Sequence, residues 1–455
     1  MLSVLRNRTY RRLFTAQVVA LAGTGLATVA LSLLAYDLAG ADASAVLGTA
    51  LAIKMVAYVG IAPLISAVAD RVPRRALLIA MDLTRAAAAL ALPFVTEVWQ
   101  IYVLILLLQA ASAAFTPTFQ ATVPDVLPDE RDYTRALSLS RLAYDLENLF
   151  SPALAAALLT LVPSGLLFAG TAAGFLASAA LVASVLLPKP EPVERTGGVY
   201  ARAAYGTRLF LATPRLRALL ALDLVVAAGG AMVLVNTVVL VREVLGRPAG
   251  DVALALGAYG AGSMAVALLL PRLLDRVGDR AVLLPAAFVT AGVLALLPAG
   301  LTASPGLWSW PALLAVWLLL GAACSAVLTP GGRLLRRSAG GGDLPAVFAA
   351  RFSLAHGCWL LTYPLAGWTA AHAGLPLAAG ALSAVALLAA VAAARLWPRT
   401  DPAALEHVHA ELAPDHPHLA GTGRCHAHDY RIDALHPRWP APVLTARPQG
   451  PRNAA

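Results

Sequence analysis

Lysine and cysteine are nearly missing from this 455-residue chain, and charge of either sign is scarce. Charged side chains make up 13% of the residues, against roughly 25% in a soluble domain, which argues against a globular enzyme folded in water. The three cysteines, Cys324, Cys358 and Cys425, stand far apart with no CxxC pair, so neither a disulfide framework nor a thiolate zinc site is encoded. Lys54 and Lys189 are the only lysines among 34 basic residues. The arginines cluster in short segments between apolar runs and leave no basic, aromatic-interleaved surface, which argues against nucleic-acid binding. No phosphate loop, nucleophile triad or dinucleotide fingerprint occurs, so no nucleotide-driven pump, enzyme activity or resident cofactor is expected.

What is abundant is apolar sequence: 59% of residues are hydrophobic. Runs near 20 residues, long enough to cross a hydrocarbon layer about 30 Å thick, recur down the chain. They predict an all-α membrane protein with spans near 13–36, 45–68, 76–95, 98–119, 135–161 and 164–187. A second set follows near 216–241, 250–272, 281–299, 308–329, 345–370 and 374–396. The organisation expected is a six-helix half (1–187), a linker (188–215), a second six-helix half (216–396) and a tail (397–455). The linker, rich in Pro, Gly and charge, holds Tyr200, Tyr205 and Phe210 for a short interfacial helix. Arg and Lys resist translocation, and alternate connections carry them: Arg6, Arg8, Arg11 and Arg12, then Arg71, Arg74 and Arg75, and so on to Arg333, Arg336 and Arg337. Both termini, and the tail with them, are therefore expected in the cytoplasm. The basic N-terminus runs into a full-length span without a cleavage site and reads as a retained first helix.

The halves repeat each other. Residues 64–93 align without gaps on 269–298 at an offset of 205, matching Asp70 with Asp275, Arg71 with Arg276, Arg75 with Arg280 and Pro93 with Pro298. A parallel repeat of six-helix halves is the mark of one transporter architecture. With the segment Ala-Asp70-Arg71-Val-Pro-Arg74-Arg75 between the second and third spans, the chain resembles the major facilitator superfamily over residues 1–397. The resemblance implies twelve transmembrane helices around a central cavity. It also implies a gating role for Asp70, Arg71, Arg74, Arg75, Asp275, Arg276 and Arg280, since an Asp at a helix end pairs with Arg across the halves. Two features depart from the family: its leading Gly is Ser66 or Ala67 here, and the Gly-Pro element of drug antiporters reads Ser151-Pro152. The segment TRALSLSRLAYDLENLFSPAL, taken with PDHPHL and IDALHPRWP in the tail, resembles superfamily exporters associated with nickel and cobalt resistance.

An ionisable group at the bilayer centre costs roughly 2.5–3.5 kcal/mol unless paired or hydrated. The expected cavity groups are Lys54, Arg141, Asp145, Glu147, Asn148, Asp223 and His356. On a helix, Arg141, Asp145 and Asn148 share one stripe, while Glu147 points roughly 160° from Asp145, so those two acids cannot hold one ion from that helix alone. Arg141 and Asp145 fit an intrahelical pair as well as a cavity site. His356 and Cys358, two residues apart, do not converge, and His356 fits a packed polar group with one hydrogen-bond partner.

Seven of the nine histidines fall between 407 and 436. Six form His-x-His pairs: His407 with His409, His416 with His418, and His426 with His428. In extended chain such pairs share a face and can offer two imidazoles to one ion; imidazole suits Ni, Co, Cu and Zn without choosing among them. Cys425 and His436 complete the candidate metal set, with Asp415 and Asp429 available; a solvated tail with incidental histidines is the alternative. The expected protein is a secondary transporter in the cell membrane whose partners are lipid and a small solute or metal ion. A metal-resistance antiporter for Ni or Co is favoured over exporters of drugs or siderophores and over a membrane-bound sensor or scaffold.

Overall fold

The computed structural model describes residues 2–61, 73–129, 132, 136, 139–140, 143, 147, 154–155, 157–187, 199–274, 276–302, 310–339, 344–398, 404–408, 419, 425–432, 436 and 439. Asp70, Arg71, Arg141, Asp145, Asn148, Asp275, His409, His416 and His418 lie outside the described residues.

Long helices build almost all of it. The first span is Arg8–Ala39, the second Ala43–Val56 continued by a π-helical turn at Ala57–Ile61, the third Arg74–Ala91 and the fourth Val98–Val126. The sixth is Gly165–Ala183. The seventh, Pro214–Val239, also ends in a π-helical turn, Leu240–Val244. The eighth is Ala249–Leu274, the ninth Asp279–Thr302 and the tenth Trp310–Leu328. The last two are Leu344–Ala373 and Leu375–Leu396. The fifth span, expected near 135–161, lies mostly outside the described residues, and the residues described between 132 and 159 are helical. Shorter helices occupy Val199–Ala212, in the linker, and Gly331–Ser338, between the tenth and eleventh spans.

Local chemistry sets where these helices start. Asn7 caps the first span, its Oδ1 accepting the Tyr10 amide at 3.0 Å. Glu97 and Gln100 form a reciprocal capping box on the fourth. Pro214 opens the seventh, where its missing N–H costs nothing. Gly374, at φ 88°, turns the chain between the last two spans.

The sequence repeat has a structural counterpart. Arg75, at the start of the third span, donates to the Ala183 carbonyl in the last turn of the sixth. Arg280, its match at the start of the ninth, donates to the Ala394 carbonyl near the end of the twelfth at 3.2 Å. In both halves a cation meets the negative end of a helix dipole. Burial inside the bundle obeys the same accounting. Asp82 pairs with Arg85 and accepts the Ser178 hydroxyl at 2.7 Å, and the Arg85 guanidinium lies 4.2 Å and 4.5 Å from the ring centres of Phe115 and Phe175.

Lipid supplies no hydrophobic force between helices, so close backbone packing does the joining. Gly262 and Gly321 bring the eighth and tenth spans together: a Cβ on either would overlap a carbonyl of the other helix. The second and eleventh spans, from opposite halves, meet through Gly48 and Gly367. A Cβ on Gly48 would sit 2.6 Å from the Tyr363 carbonyl oxygen. One residue on, the Trp368 indole donates to Thr49 Oγ1 at 3.0 Å. Nearby, Tyr36 of the first span donates to Glu243 beyond the seventh at 2.6 Å, with Arg242 5.0 Å from the Tyr36 ring centre. All these residues lie at the end of the bundle away from the chain termini. The halves are joined there.

If this seam is as tight as its glycines indicate, Gly48→Val will open it. Labelling of a cysteine at Trp368→Cys by a membrane-impermeant thiol reagent should then rise several-fold; unchanged labelling would mean the backbones do not close there.

Candidate functional site

Lys54 lies eleven residues after the start of the second span, about 16 Å along it at roughly 1.5 Å per residue, or about half of a 30 Å hydrocarbon layer. The helix widens into its π-turn just past this point, and Tyr58 in that turn places its ring centre 6.0 Å from Lys54 Nζ. Such turns recur at functional positions because they change which side chains share a face. The His356 ring, on the eleventh span, stacks on Tyr58 with centroids 5.4 Å apart and planes 10° from parallel. The Phe352 ring centre lies 4.0 Å from that of His356 and 6.2 Å from that of Tyr58.

His356 Nδ1 lies 2.6 Å from the Phe352 carbonyl. A carbonyl only accepts, so Nδ1 carries the proton and Nε2 is left as the basic atom. Glu147 lies half-buried on the fifth span, near Lys54. Among the described residues no acid comes within ion-pair distance of Lys54. Spans two, five and eleven thus bring a cation, a carboxylate and an imidazole to the middle of the bundle, across the junction of the halves.

Asp223 is placed differently from the open cavity position expected of it. Its carboxylate, 3% exposed, accepts from Arg351 Nη2 at 3.0 Å and Nε at 3.2 Å. This two-pronged pair ties the seventh span to the eleventh. Gly331 leaves the room that the Arg351 guanidinium fills. Sequence reasoning missed Arg351, although an arginine seven residues inside a span had to have a partner. It also missed Tyr58 and Phe352, which an aromatic count cannot separate from lipid-facing rings.

Arg75 and Arg280 hold helix ends as described above, Arg74 is half-buried and Arg276 is exposed. Asp279 pairs with Arg333 of the short Gly331–Ser338 helix at 3.5 Å.

The tail folds back as an antiparallel ribbon, β1 (Ala404–Val408) against β2 (Cys425–Asp429). Its register sets His407 opposite His426 and Leu405 opposite His428. Because strand residues alternate between faces, His407, His426 and His428 share one face with Leu405. Cys425 stands opposite Val408 in the register. His436 leaves the set: it is 3% exposed, with its ring edge-on to Tyr430 at 4.7 Å. Among the described residues, no three His, Cys, Asp or Glu side chains converge on one point.

The sequence profile described as Major Facilitator Superfamily matches residues 13–246 and 219–420. The chain belongs to the major facilitator superfamily. Its fold is accordingly all-α, with twelve transmembrane helices in two six-helix halves, and the superfamily is one of transporters. Solved superfamily-like structures agree over the whole bundle. A bacterial homologue of the human lysosomal transporter Spinster, inward-facing and unoccupied, superposes with a TM-score of 0.65 at 13% identity, covering 87% of this chain and 99% of that one. A D-xylose–proton symporter does so with a TM-score of 0.65 at 13% identity, covering 87% and 98%. A nucleoside transporter gives 0.65 at 12% identity, covering 86% and 100%. At these identities the likeness extends to fold alone. A comparison with curated protein sequences returns no match.

In this superfamily member the Asp223–Arg351 pair should behave as a buried ion pair. Asp223→Asn leaves the guanidinium unanswered and is expected to lower stability by about 3–5 kcal/mol, read as earlier loss of monodisperse protein on heating in detergent. The double variant Asp223→Asn/Arg351→Met should recover part of that loss. Equal melting of the single variant and the parent would show that the pair carries no such burden.

Proposed function

We propose that this chain is a secondary active transporter of the cell membrane, with both termini cytoplasmic, that exports a divalent transition metal, nickel or cobalt, against proton entry. The observation that carries the choice of cargo is the register of the tail ribbon: His407 stands opposite His426 and shares its face with His428. Directly paired strand residues have Cβ atoms about 4.5–5.5 Å apart, close enough for imidazoles to meet one ion at roughly 2.0–2.1 Å each. The resemblance of the fifth span and tail to nickel and cobalt exporters points the same way. So does the arginine distribution, which sets the ribbon on the loading side.

The midplane cluster supplies the coupling. Glu147 carries the exchangeable charge: deprotonated, it offers oxygen to a cation, and protonated, it releases it. Lys54 opposes a net negative site, and His356 Nε2 is the second basic atom within reach. Proton and metal thus compete for one place in the bundle, and competition at a single alternately accessible site is sufficient for exchange. The joining of the far end at Gly48 and Gly367 supports a site loaded from the terminus-bearing side. No enzymatic step is needed, and the ion is cargo.

One observation favours a different cargo. Trp359 and Tyr363 continue the aromatic line of Phe352 along the eleventh span, with ring centres 5.0 Å apart, a line suited to a flat organic molecule. Export of a drug-like or siderophore-like compound is the second reading.

Everted membrane vesicles separate the two. Nickel uptake into vesicles holding the wild-type chain should accelerate when their interior is made acidic, and Glu147→Gln should lower it by at least about ten-fold. Loss of organic-compound resistance with unchanged nickel flux would overturn the metal reading in favour of the second. Neither flux, in lipid vesicles of purified protein, would leave a sensor or scaffold.

A further inference from the structure

The contacts that join the halves at the end away from the termini differ in kind. Gly48 and Gly367 meet backbone to backbone. The Thr49–Trp368 hydrogen bond links two neutral side chains. Of the three, only the contact between Tyr36 and Glu243 contains a carboxylate.

That contact is built from the last turn of the first span and the π-turn that closes the seventh. Leu240 and Val241 are 1% and 0% exposed and seat the turn in the bundle, whereas Arg242 is half-buried and Glu243 exposed. Two consecutive residues therefore reach one phenol. The Tyr36 hydroxyl donates to Glu243 Oε1 at 2.6 Å, and the Arg242 guanidinium carbon lies 5.0 Å from the Tyr36 ring centre. A separation of 2.6 Å is that of a hydroxyl on an ionised carboxylate, a bond roughly twice as strong as one between neutral groups. Glu243 stands at the C-terminal end of its span, where the helix dipole is negative, so Tyr36 and Arg242 are what favour its charge there. The other charges near this turn are already placed. Arg247 pairs with Asp251 of the eighth span at 2.5 Å and lies 4.5 Å from the Trp310 ring centre, while Asp37 and Asp42 are exposed. The first, seventh and eighth spans carry no further charged side chain at this end.

We propose that Tyr36 and Glu243 form a proton-released latch: with Glu243 ionised the halves are held together at this end, and a proton taken by Glu243 from the adjoining solvent lets them part. Protonation turns the charge-assisted bond into an ordinary one and removes the anion beside Arg242. The glycine contact and the Thr49–Trp368 bond are untouched by it. The latch binds no cargo and lies on different spans from the Lys54 group; it sets how readily that group is opened to the far side. An exposed charged contact is worth no more than about 1 kcal/mol, or about five-fold in the ratio of parted to joined halves. The latch rests on the proton-entry reading above for its purpose alone: acid on the side from which protons enter opens the bundle toward them.

Pulsed electron-spin distance measurements on the full-length protein in lipid nanodiscs provide the test. Spin labels at Ala41→Cys and Pro248→Cys, exposed at this end on opposite halves, are placed in a Cys324→Ala/Cys358→Ala/Cys425→Ala background. From about pH 8 to about pH 5 the longer-distance population should grow about two- to five-fold. Glu243→Gln should show the larger population at both pH values, and so should Tyr36→Phe, which keeps the ring and loses the donor. A response that persists in both variants, or none in the parent, overturns the proposal. Glu147→Gln separates the latch from the coupling site. A pH response kept in Glu147→Gln and lost in Glu243→Gln sustains the latch whatever becomes of the coupling reading, whereas one lost in Glu147→Gln and kept in Glu243→Gln belongs to the midplane and overturns the latch.

Discussion

Hydrocarbon answers no charge, so every ionised side chain placed inside this bundle has to be met by another group of the chain or by water. That constraint orders the whole structure. Asp82 is met by Arg85 and Ser178, and Arg85 in addition by two aromatic faces. Asp223 is met by both prongs of Arg351. Each of these groups ties helices of one half together. The group around Lys54 is different. It spans the two halves, its acid lies near Lys54 without touching it, and its imidazole keeps a basic nitrogen open. Where charges are matched within a half the protein is held; the Lys54 group instead sits across the junction of the halves.

Close backbone packing supplies the other half of the design. Glycine pairs join the eighth span to the tenth and the second to the eleventh, but the two seams serve different ends. The first lies within one half and has no reason to open. The second lies between halves, beside the Thr49–Trp368 hydrogen bond, and must part whenever the site is exposed to the far side. At the glycines themselves the seam is built from small residues and a hydrogen bond, and such a contact separates without dismantling a core.

Much of this was legible in the sequence. Apolar length located the spans, because crossing lipid imposes a minimum run of residues, and the 205-residue offset between Asp70-Arg71 and Asp275-Arg276 exposed the two halves before any contact was known. Lys54, Glu147 and His356 stood out because ionisable groups in apolar runs are costly. Their convergence was not readable, since it depends on helix rotation and on a π-turn at Ala57–Ile61 that shifts the face by part of a turn. Arg351 was passed over, and Asp223 assigned to the cavity, for one reason: a pair across two spans 128 residues apart leaves no local pattern. In the tail, the His-x-His spacing was informative about faces and silent about register. Only strand pairing sets His407 opposite His426 and Cys425 opposite Val408.

The central claim is that transport requires the second and eleventh spans to part at their glycine seam while the Lys54 cluster exchanges its ligands. The most direct measurement is nickel flux in proteoliposomes of a Thr49→Cys/Trp368→Cys protein, before and after bridging the two thiols with a short reducible cross-linker. The account predicts that bridging abolishes flux and that reduction restores it. Flux continuing at the unbridged rate with the seam covalently closed would contradict it.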